Sequence, residues 1–294
     1  MRILLAVDGS RAADQARDLV AALPLGKGGL VRIVGVAPSP AEFPEPPGRS
    51  VISPGREPLE GVVLGVIRNV VARAEREIRS ARSDLVIEPV VIQGRPASVI
   101  VGMAQAMVAD LVVIGHRGLG RWESVLLGTV AAEVVDHAPC PVLVARDERI
   151  GAVVLAHDGS PYARSAECVV GTWPLFDGLP VTVVHVAADA SPDIGCCDTP
   201  AERLREAGMD VSAQTREGDP AQQVIACAME RVAGLIVVGT RGRTGSESLL
   251  VGSVARNVVL HAPCSVLVVR DAIRLDGRRI ERRRTERELV SAFG

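Results

Sequence analysis

The sequence predicts an α/β protein built from two tandem, doubly wound, five-stranded parallel sheets, each of strand order 3-2-1-4-5. Three observations carry this expectation. First, the chain of 294 residues repeats itself. "ILLAVDGS" (3–10) returns as "VVLAHDGS" (153–160), and "VRIVGVA" (31–37) as "VTVVHVA" (181–187), both 150 residues on. "QGRPASVI" (93–100), "ADLVVIG" (109–115) and "HAPCPVLVAR" (137–146) return as "EGDPAQQV", "AGLIVVG" and "HAPCSVLVVR", each 124 residues on. Second, hydrophobic residues make up 48% of the chain but aromatics only 2%, so Val, Leu, Ile and Ala must build the core. That suits parallel strands buried on both faces under Ala-rich helices. Third, apolar runs of strand length alternate with segments of helical periodicity, the pattern of βαβ units with right-handed crossovers.

A repeat of this length sets the domain organisation. The expected units are residues 1–147 and 148–270, followed by an Arg-rich tail over 271–294 that has no counterpart in the first copy. The change of offset means that copy two lacks 26 residues, lost between Val36 and Ile87. Copy one there holds the Pro-dense "APSPAEFPEPPGRSVISPGREP", which reads as an irregular excursion because Pro removes backbone donors and fixes φ.

Within each copy the elements follow in order. Strand 1 is "ILLAV", a continuous apolar run. Helix 1 follows "DGS", with Ser10 or Ser160 as its cap and Ala13, Ala16, Val20 and Leu23 at helical spacing. Strand 2 ends at Val36 or Val186. A long amphipathic helix runs from about Leu59 to Ala81, with a shorter one near 200–208 in copy two. Strand 3 is "LVIEPVVI", and helix 3 opens at "RPAS" or "DPAQ" with Pro near its first position. Strand 4 is "LVVIG" or "LIVVG". Helix 4 starts at Gly128-Thr129 or Gly252-Ser253, turns Val130, Val134, Val135 and Ala138 inward, and stops at Pro139 or Pro263. Strand 5 is "PVLVA" or "SVLVV".

Orders 2-1-3-4-5 and 3-2-1-4-5 both suit five such strands. Ligands of open α/β sheets sit beyond the carboxyl ends of strands where the order reverses. The "DGS" turn follows strand 1 and a glycine loop follows strand 4, and only 3-2-1-4-5 makes these neighbours at the switch point. That loop is "GHRGLGRWESVLLGT" (115–129), repeated as "GTRGRTGSESLLVGS" (239–253). Gly115 lets a ligand lie against the backbone, Gly118 lets the loop turn back, and Gly128-Thr129 open a helix whose free N–H groups suit a phosphate. Gly239, Gly242, Gly252 and Ser253 repeat this. No Lys follows the glycines as in a Walker loop, and the dinucleotide fingerprint would follow strand 1. Asp8 and Asp158 end strand 1 with a carboxylate, suited to ribose hydroxyls or an adenine amino group, or else to shaping an Asx turn. Val36 and Val186 offer backbone groups to a base edge, although their side chains by themselves say only core.

The spacing Gly-x2-Gly-x9-Gly-Ser/Thr, followed by Val-Ala and later by "HAPCPVLV", is similar to that of the ATP-binding class of universal stress proteins, over about 270 residues of this chain. The resemblance implies that fold, with order 3-2-1-4-5, a cytoplasmic setting, and ATP at two sites, with Mg as its companion ion where hydrolysis is in play. By position, Gly115, Gly118, Gly128 and Thr129 would hold phosphates in copy one, with Asp8 and Val36 at ribose and adenine. Gly239, Gly242, Gly252, Ser253, Asp158 and Val186 would do so in copy two. Single-domain members commonly pair through their last strands, so the tandem resembles such a dimer fused in one chain, with the two strands 5 adjoining. A homodimer and an unidentified protein partner remain open. Arg121-Trp122 stand where copy two has Gly245-Ser246, and His157 replaces Val7 beside the second Asp, so the two sites are expected to differ.

Net charge −2 gives no general reason to expect nucleic acid or an anionic membrane. No apolar run reaches the ~18 residues of a membrane span, and "MRILLAVDGS" is no signal peptide. The six cysteines then read as reduced thiols, with Cys196-Cys197 a plain loop pair rather than a metal or redox site. Arg117 and Arg241 either neutralise phosphate or are exposed loop residues. ATP hydrolysis needs a positioned water and an orienting group. Glu123 and Glu247 are the candidates, with capping of helix 4 as their plain role. The expected function is a nucleotide-dependent regulator in the stress response. The alternatives are a slow ATPase or phosphotransferase, or an adaptor with empty pockets.

Overall fold

The computed structural model describes residues 1–38, 56–118, 127–187, 198–242 and 251–270. Glu123, Glu247, Arg121-Trp122, Gly245-Ser246, Cys196-Cys197 and the tail from Asp271 lie outside them. The first copy forms β1 (Arg2–Ala6), α1 (Arg11–Ala22), β2 (Leu30–Ala37), α2 (Arg56–Ala81), β3 (Val86–Gln93), α3 (Pro96–Ala106), β4 (Leu111–Gly115), α4 (Thr129–His137) and β5 (Val142–Ala145). The second forms β6 (Val153–Ala156), α5 (Pro161–Thr172), β7 (Val181–Ala187), α6 (Asp198–Glu206), β8 (Val211–Glu217), α7 (Pro220–Glu230), β9 (Leu235–Gly239), α8 (Ser253–His261) and β10 (Ser265–Val269). A 3-10 turn at Pro174–Phe176, absent from the sequence expectation, buries Phe176 and the preceding Trp173.

The strand order is β3-β2-β1-β4-β5-β10-β9-β6-β7-β8. Each half is parallel in order 3-2-1-4-5, with Ile3 between Val31 and Leu111 and Val153 between Val181 and Leu235. The two five-stranded sheets adjoin through their fifth strands, as expected, into one ten-stranded sheet: β5 and β10 pair antiparallel, Val144 opposite Val266 and Leu143 opposite Leu267. Helices α1, α2, α5 and α6 pack on one face and α3, α4, α7 and α8 on the other, so the central strands are buried on both sides.

Two half-buried arginines brace the antiparallel seam. Arg146, just past β5, donates from Nη2 to the Val259 carbonyl of α8 at 2.7 Å. Arg270, just past β10, donates to the Val135 carbonyl of α4 at 2.8 Å and to that of Asp136. Each half thus places a cation on the unsatisfied C-terminal carbonyls of the other half's last helix. An ion pair between Arg256 and Asp136 at 2.8 Å adds to the seam.

One local rule is broken in both halves. Val108 (φ 48°) and Val232 (φ 50°) follow the C-caps of α3 and α7 in the left-handed region, where Gly is usual. The following Ala109 and Ala233 reach back to the Ala104 and Ala228 carbonyls at 2.9 and 2.8 Å, closing Schellman turns around the strained valines. No helix among the described residues is long and apolar enough to cross a membrane.

Candidate functional site

The crevice of the first half lies where the order reverses, between the carboxyl ends of β1 and β4. The "DGS" turn after β1 is a side-chain-built start for α1. Asp8 Oδ1 accepts from the Ser10 N–H at 2.9 Å, and Ser10 Oγ accepts from the Ala13 N–H at 3.2 Å. Asp158 and Ser160 repeat both bonds, at 3.0 and 3.1 Å. The Asx turn is therefore formed in each copy. It engages one carboxylate oxygen of Asp8 and leaves Oδ2 facing Gly118, where an added Cβ would lie 2.7 Å from it.

The first two glycines of each loop are explained by close approach rather than by turning. Gly115, Gly118 and Gly128 are absent from the positive-φ glycines, so the expected backbone reversal at Gly118 is not what requires glycine. A Cβ on Gly115 would sit 2.5 Å from the Ala12 carbonyl carbon, and one on Gly239 2.7 Å from that of Tyr162. On Gly242 it would meet Asp158 Oδ2 at 2.8 Å. The loop closes at its base by the Gly128 N–H donating to the His116 carbonyl at 2.8 Å, repeated by Gly252 and Thr240 at 2.7 Å. Ser10 Oγ also donates to the Arg117 carbonyl at 3.2 Å, tying the two crevice turns together.

Gly128 and Gly252 are the N-caps of α4 and α8, and neither offers a side-chain acceptor, whereas α1, α5 and α7 are capped by Ser10, Ser160 and Asp219. The N–H groups of Thr129, Val130 and Ala131 have no acceptor within the helix and gather at its positive dipole end. This is the arrangement that binds an anion.

The first crevice encloses a cavity of about 360 Å³, within the ordinary range of small-ligand pockets. Asp8, Val36, Gly115, Gly118, Gly128 and Thr129 all line it. One wall is apolar: Ala6, Val34 and Val36 from the sheet face Pro96 and Ile100 of α3. The other is the glycine loop with the start of α4, where Val130 and Ala131 join the lining and Arg117 supplies the one cation among the described residues. Sequence reasoning missed Val34, Pro96 and Ile100 as lining residues. The repeated "RPAS" and "DPAQ" were the available signal.

In copy two, Asp158, Val186, Gly239, Gly242, Gly252 and Ser253 hold the equivalent places on β6, β7, β9 and α8. Of the residues lining the first cavity, only Val7, Ile100, Ile114 and Thr129 are changed in the second copy, to His157, Val224, Val238 and Ser253. The His157 imidazole is engaged with its neighbours. Its Nδ1 accepts from the Gly159 N–H at 3.3 Å, and its Nε2 lies 3.2 Å from the Glu167 carboxylate on α5. Burial opposes ionisation of Glu167, but hydrogen bonds from Arg203 (2.6 Å) and His157 outweigh it and hold the carboxyl below its ordinary range. In copy one, burial, with Arg146 and Arg117 nearby, pushes the His116 imidazole below its ordinary range, while Nδ1 bonds the Ala145 carbonyl at 3.2 Å. Among the described residues no cluster of three His, Cys, Asp or Glu side chains is placed to hold a metal.

Comparison with known proteins gives a consistent picture. The sequence model of the universal stress protein family matches residues 1–146 and 197–270. A universal stress protein of Mycobacterium tuberculosis is 30% identical over 188 residues, covering 56% of this chain and 63% of its own length. The chain thus spans less than two thirds of that relative. One of Thermus aquaticus is 35% identical over 136 residues, 40% of this chain and 97% of its own. The crystal structure of a universal stress protein from Archaeoglobus fulgidus superposes with a TM-score of 0.71 at 19% identity, over 92% of this chain and 98% of that one, a likeness of fold.

Proposed function

Because this chain belongs to the universal stress protein family, we propose that it binds ATP in both crevices and acts as a nucleotide-dependent regulator in the cellular stress response. The observation that carries this reading is the convergence of Asp8, Val36, Gly115, Gly118, Gly128 and Thr129 on one cavity at the switch point of the sheet. In the proposed pose adenine lies against Val34, Val36, Pro96 and Ile100, where its faces are desolvated and the strand end offers backbone groups to its edge. The ribose sits at the Asp8 carboxylate. The phosphates run over Gly118 to the open N–H groups of Thr129, Val130 and Ala131, with main-chain amides rather than lysines as the principal donors.

Residues 1–147 and 148–270 are taken as one nucleotide-binding unit each, joined across the β5–β10 seam. Turnover has at most a slow part in this reading. Asp8 is the one carboxylate among the described lining residues, and it already accepts from Ser10. Occupancy, read by a protein partner, is the proposed signal. The proposed setting is the cytoplasm, in keeping with the free thiols of Cys140, Cys227 and Cys264.

The test is to identify by mass spectrometry the small molecule that copurifies with the chain and to melt the protein with added nucleotide. ATP at 100 times its Kd is expected to stabilise by about 2.7 kcal/mol. Protein that carries no nucleotide and melts unchanged in millimolar ATP would overturn the proposal.

A further inference from the structure

The two glycine loops carry an arginine at the same place, yet commit it differently. Arg117 lines the first cavity. Among the described residues its guanidinium makes no side-chain hydrogen bond; its buried Nε has no partner, and neither has that of Arg241, so the two differ at the outer guanidinium nitrogens. Arg241 is engaged: its Nη1 bonds the Tyr162 hydroxyl at 3.1 Å, and its guanidinium carbon lies 5.6 Å from the centre of the Tyr162 ring. Tyr162 is the single Tyr of the chain, and its counterpart in the first half is Ala12, which can offer neither a ring nor a hydroxyl. An anion entering the first crevice gains a charge-assisted contact from Arg117 with no side-chain contact to break. An anion entering the second must compete with a cation–π contact and a hydrogen bond already made.

We propose that Arg117 grips the outer phosphates of a nucleotide in the first crevice, and that Tyr162 withholds Arg241 from the same task in the second. Tyr162 is then a specificity-determining residue: the first crevice favours triphosphate strongly over monophosphate, and the second does so weakly. This inference rests on the nucleotide reading above.

The experiment uses the intact chain with one crevice filled, Gly252→Glu to leave the first and Gly128→Glu to leave the second, and measures the ratio of AMP to ATP dissociation constants. In the first crevice Arg117→Gln is expected to lower that ratio about tenfold, the size of a charge-assisted hydrogen bond. In the second, Arg241→Gln is expected to change it less than twofold, and Tyr162→Ala to raise it severalfold by releasing Arg241. Tyr162→Phe, which keeps the ring, gives a smaller rise and guards against loss of fold in the Ala variant. Equal losses from Arg117→Gln and Arg241→Gln, or no rise on changing Tyr162, would overturn the inference while both crevices still bound nucleotide. No binding of ATP or AMP to the unsubstituted chain would instead overturn the nucleotide reading itself.

Discussion

Gly115→Ala probes how closely α1 is seated on the end of β4. The new methyl would lie 2.5 Å from the Ala12 carbonyl carbon, 2.6 Å from its oxygen and 2.8 Å from the Ala13 nitrogen. Carbon contacts are optimal near 3.5–4.0 Å, so the helix must back away by roughly 1 Å. It cannot do so freely, because Ala16, Leu19 and Val20 of the same helix are fully buried in the core. Overpacking of a core costs about 1–3 kcal/mol, and contact with helix backbone places this case in the upper half of that range. At about 2–4 °C per kcal/mol, a loss of 2–3 kcal/mol lowers Tm by roughly 4–12 °C. Gly102→Ala is the control of opposite sign. It lies inside α3 with nothing within 4 Å of the added Cβ, so the change should stabilise by about 0.5–1 kcal/mol. Thermal melting followed by circular dichroism reads both. If Gly115→Ala melts within 1 °C of the unsubstituted chain, the close approach of α1 to the glycine loop is wrong.

Other expectations follow from the same geometry. Val108→Gly and Val232→Gly relieve left-handed strain of about 1–2 kcal/mol and forfeit part of it to glycine's chain entropy. At 64% and 86% exposure these side chains lose little burial, so each change should raise Tm by a few degrees, and urea denaturation showing a loss would contradict the strain argument. Removing Arg270 with Arg270→Met strips the donor from the Val135 and Asp136 carbonyls and should destabilise by about 1–3 kcal/mol; an unchanged urea midpoint would show that the seam does not depend on it. Because His116 is held below its ordinary range, the unfolded chain takes up the proton first as pH falls. Stability is therefore lost from about pH 6.5 downward through the folded value. His116→Thr, which copies the residue at 240, should flatten that acid limb of urea midpoint against pH, and an unaltered slope would contradict the shift.

Much of the architecture was legible because repetition and alternation are strong signals. Placing the "DGS" turn and the glycine loop on strands 1 and 4 selected the order 3-2-1-4-5, and all six site residues of the first copy meet at one cavity. The apolar wall was not legible as a wall. Val34 and Ile100 carry the periodicity of core residues, and period alone does not separate a side chain packed on its neighbours from one lining a cavity. The glycines were found by spacing but explained by turning, whereas the structure requires them for contact between Gly115 and the α1 backbone and between Gly118 and Asp8. His157 was placed near the second site by its adjacency to Asp158. The equivalent Val7 borders the first cavity while packing in the core under α1 and α2, and the His157 imidazole is engaged with Gly159 and Glu167. The Tyr162–Arg241 contact left no trace in the repeat, since it depends on a residue present in one copy alone.

The central claim is that each half holds one nucleotide on main-chain amides. Equilibrium dialysis of ATP against the intact chain tests it most directly, with Gly128→Glu and Gly252→Glu each placing a carboxylate where the helix would meet phosphate. The account predicts two ATP per chain, one in each single variant and none in the double variant; an unchanged stoichiometry in both single variants would contradict it.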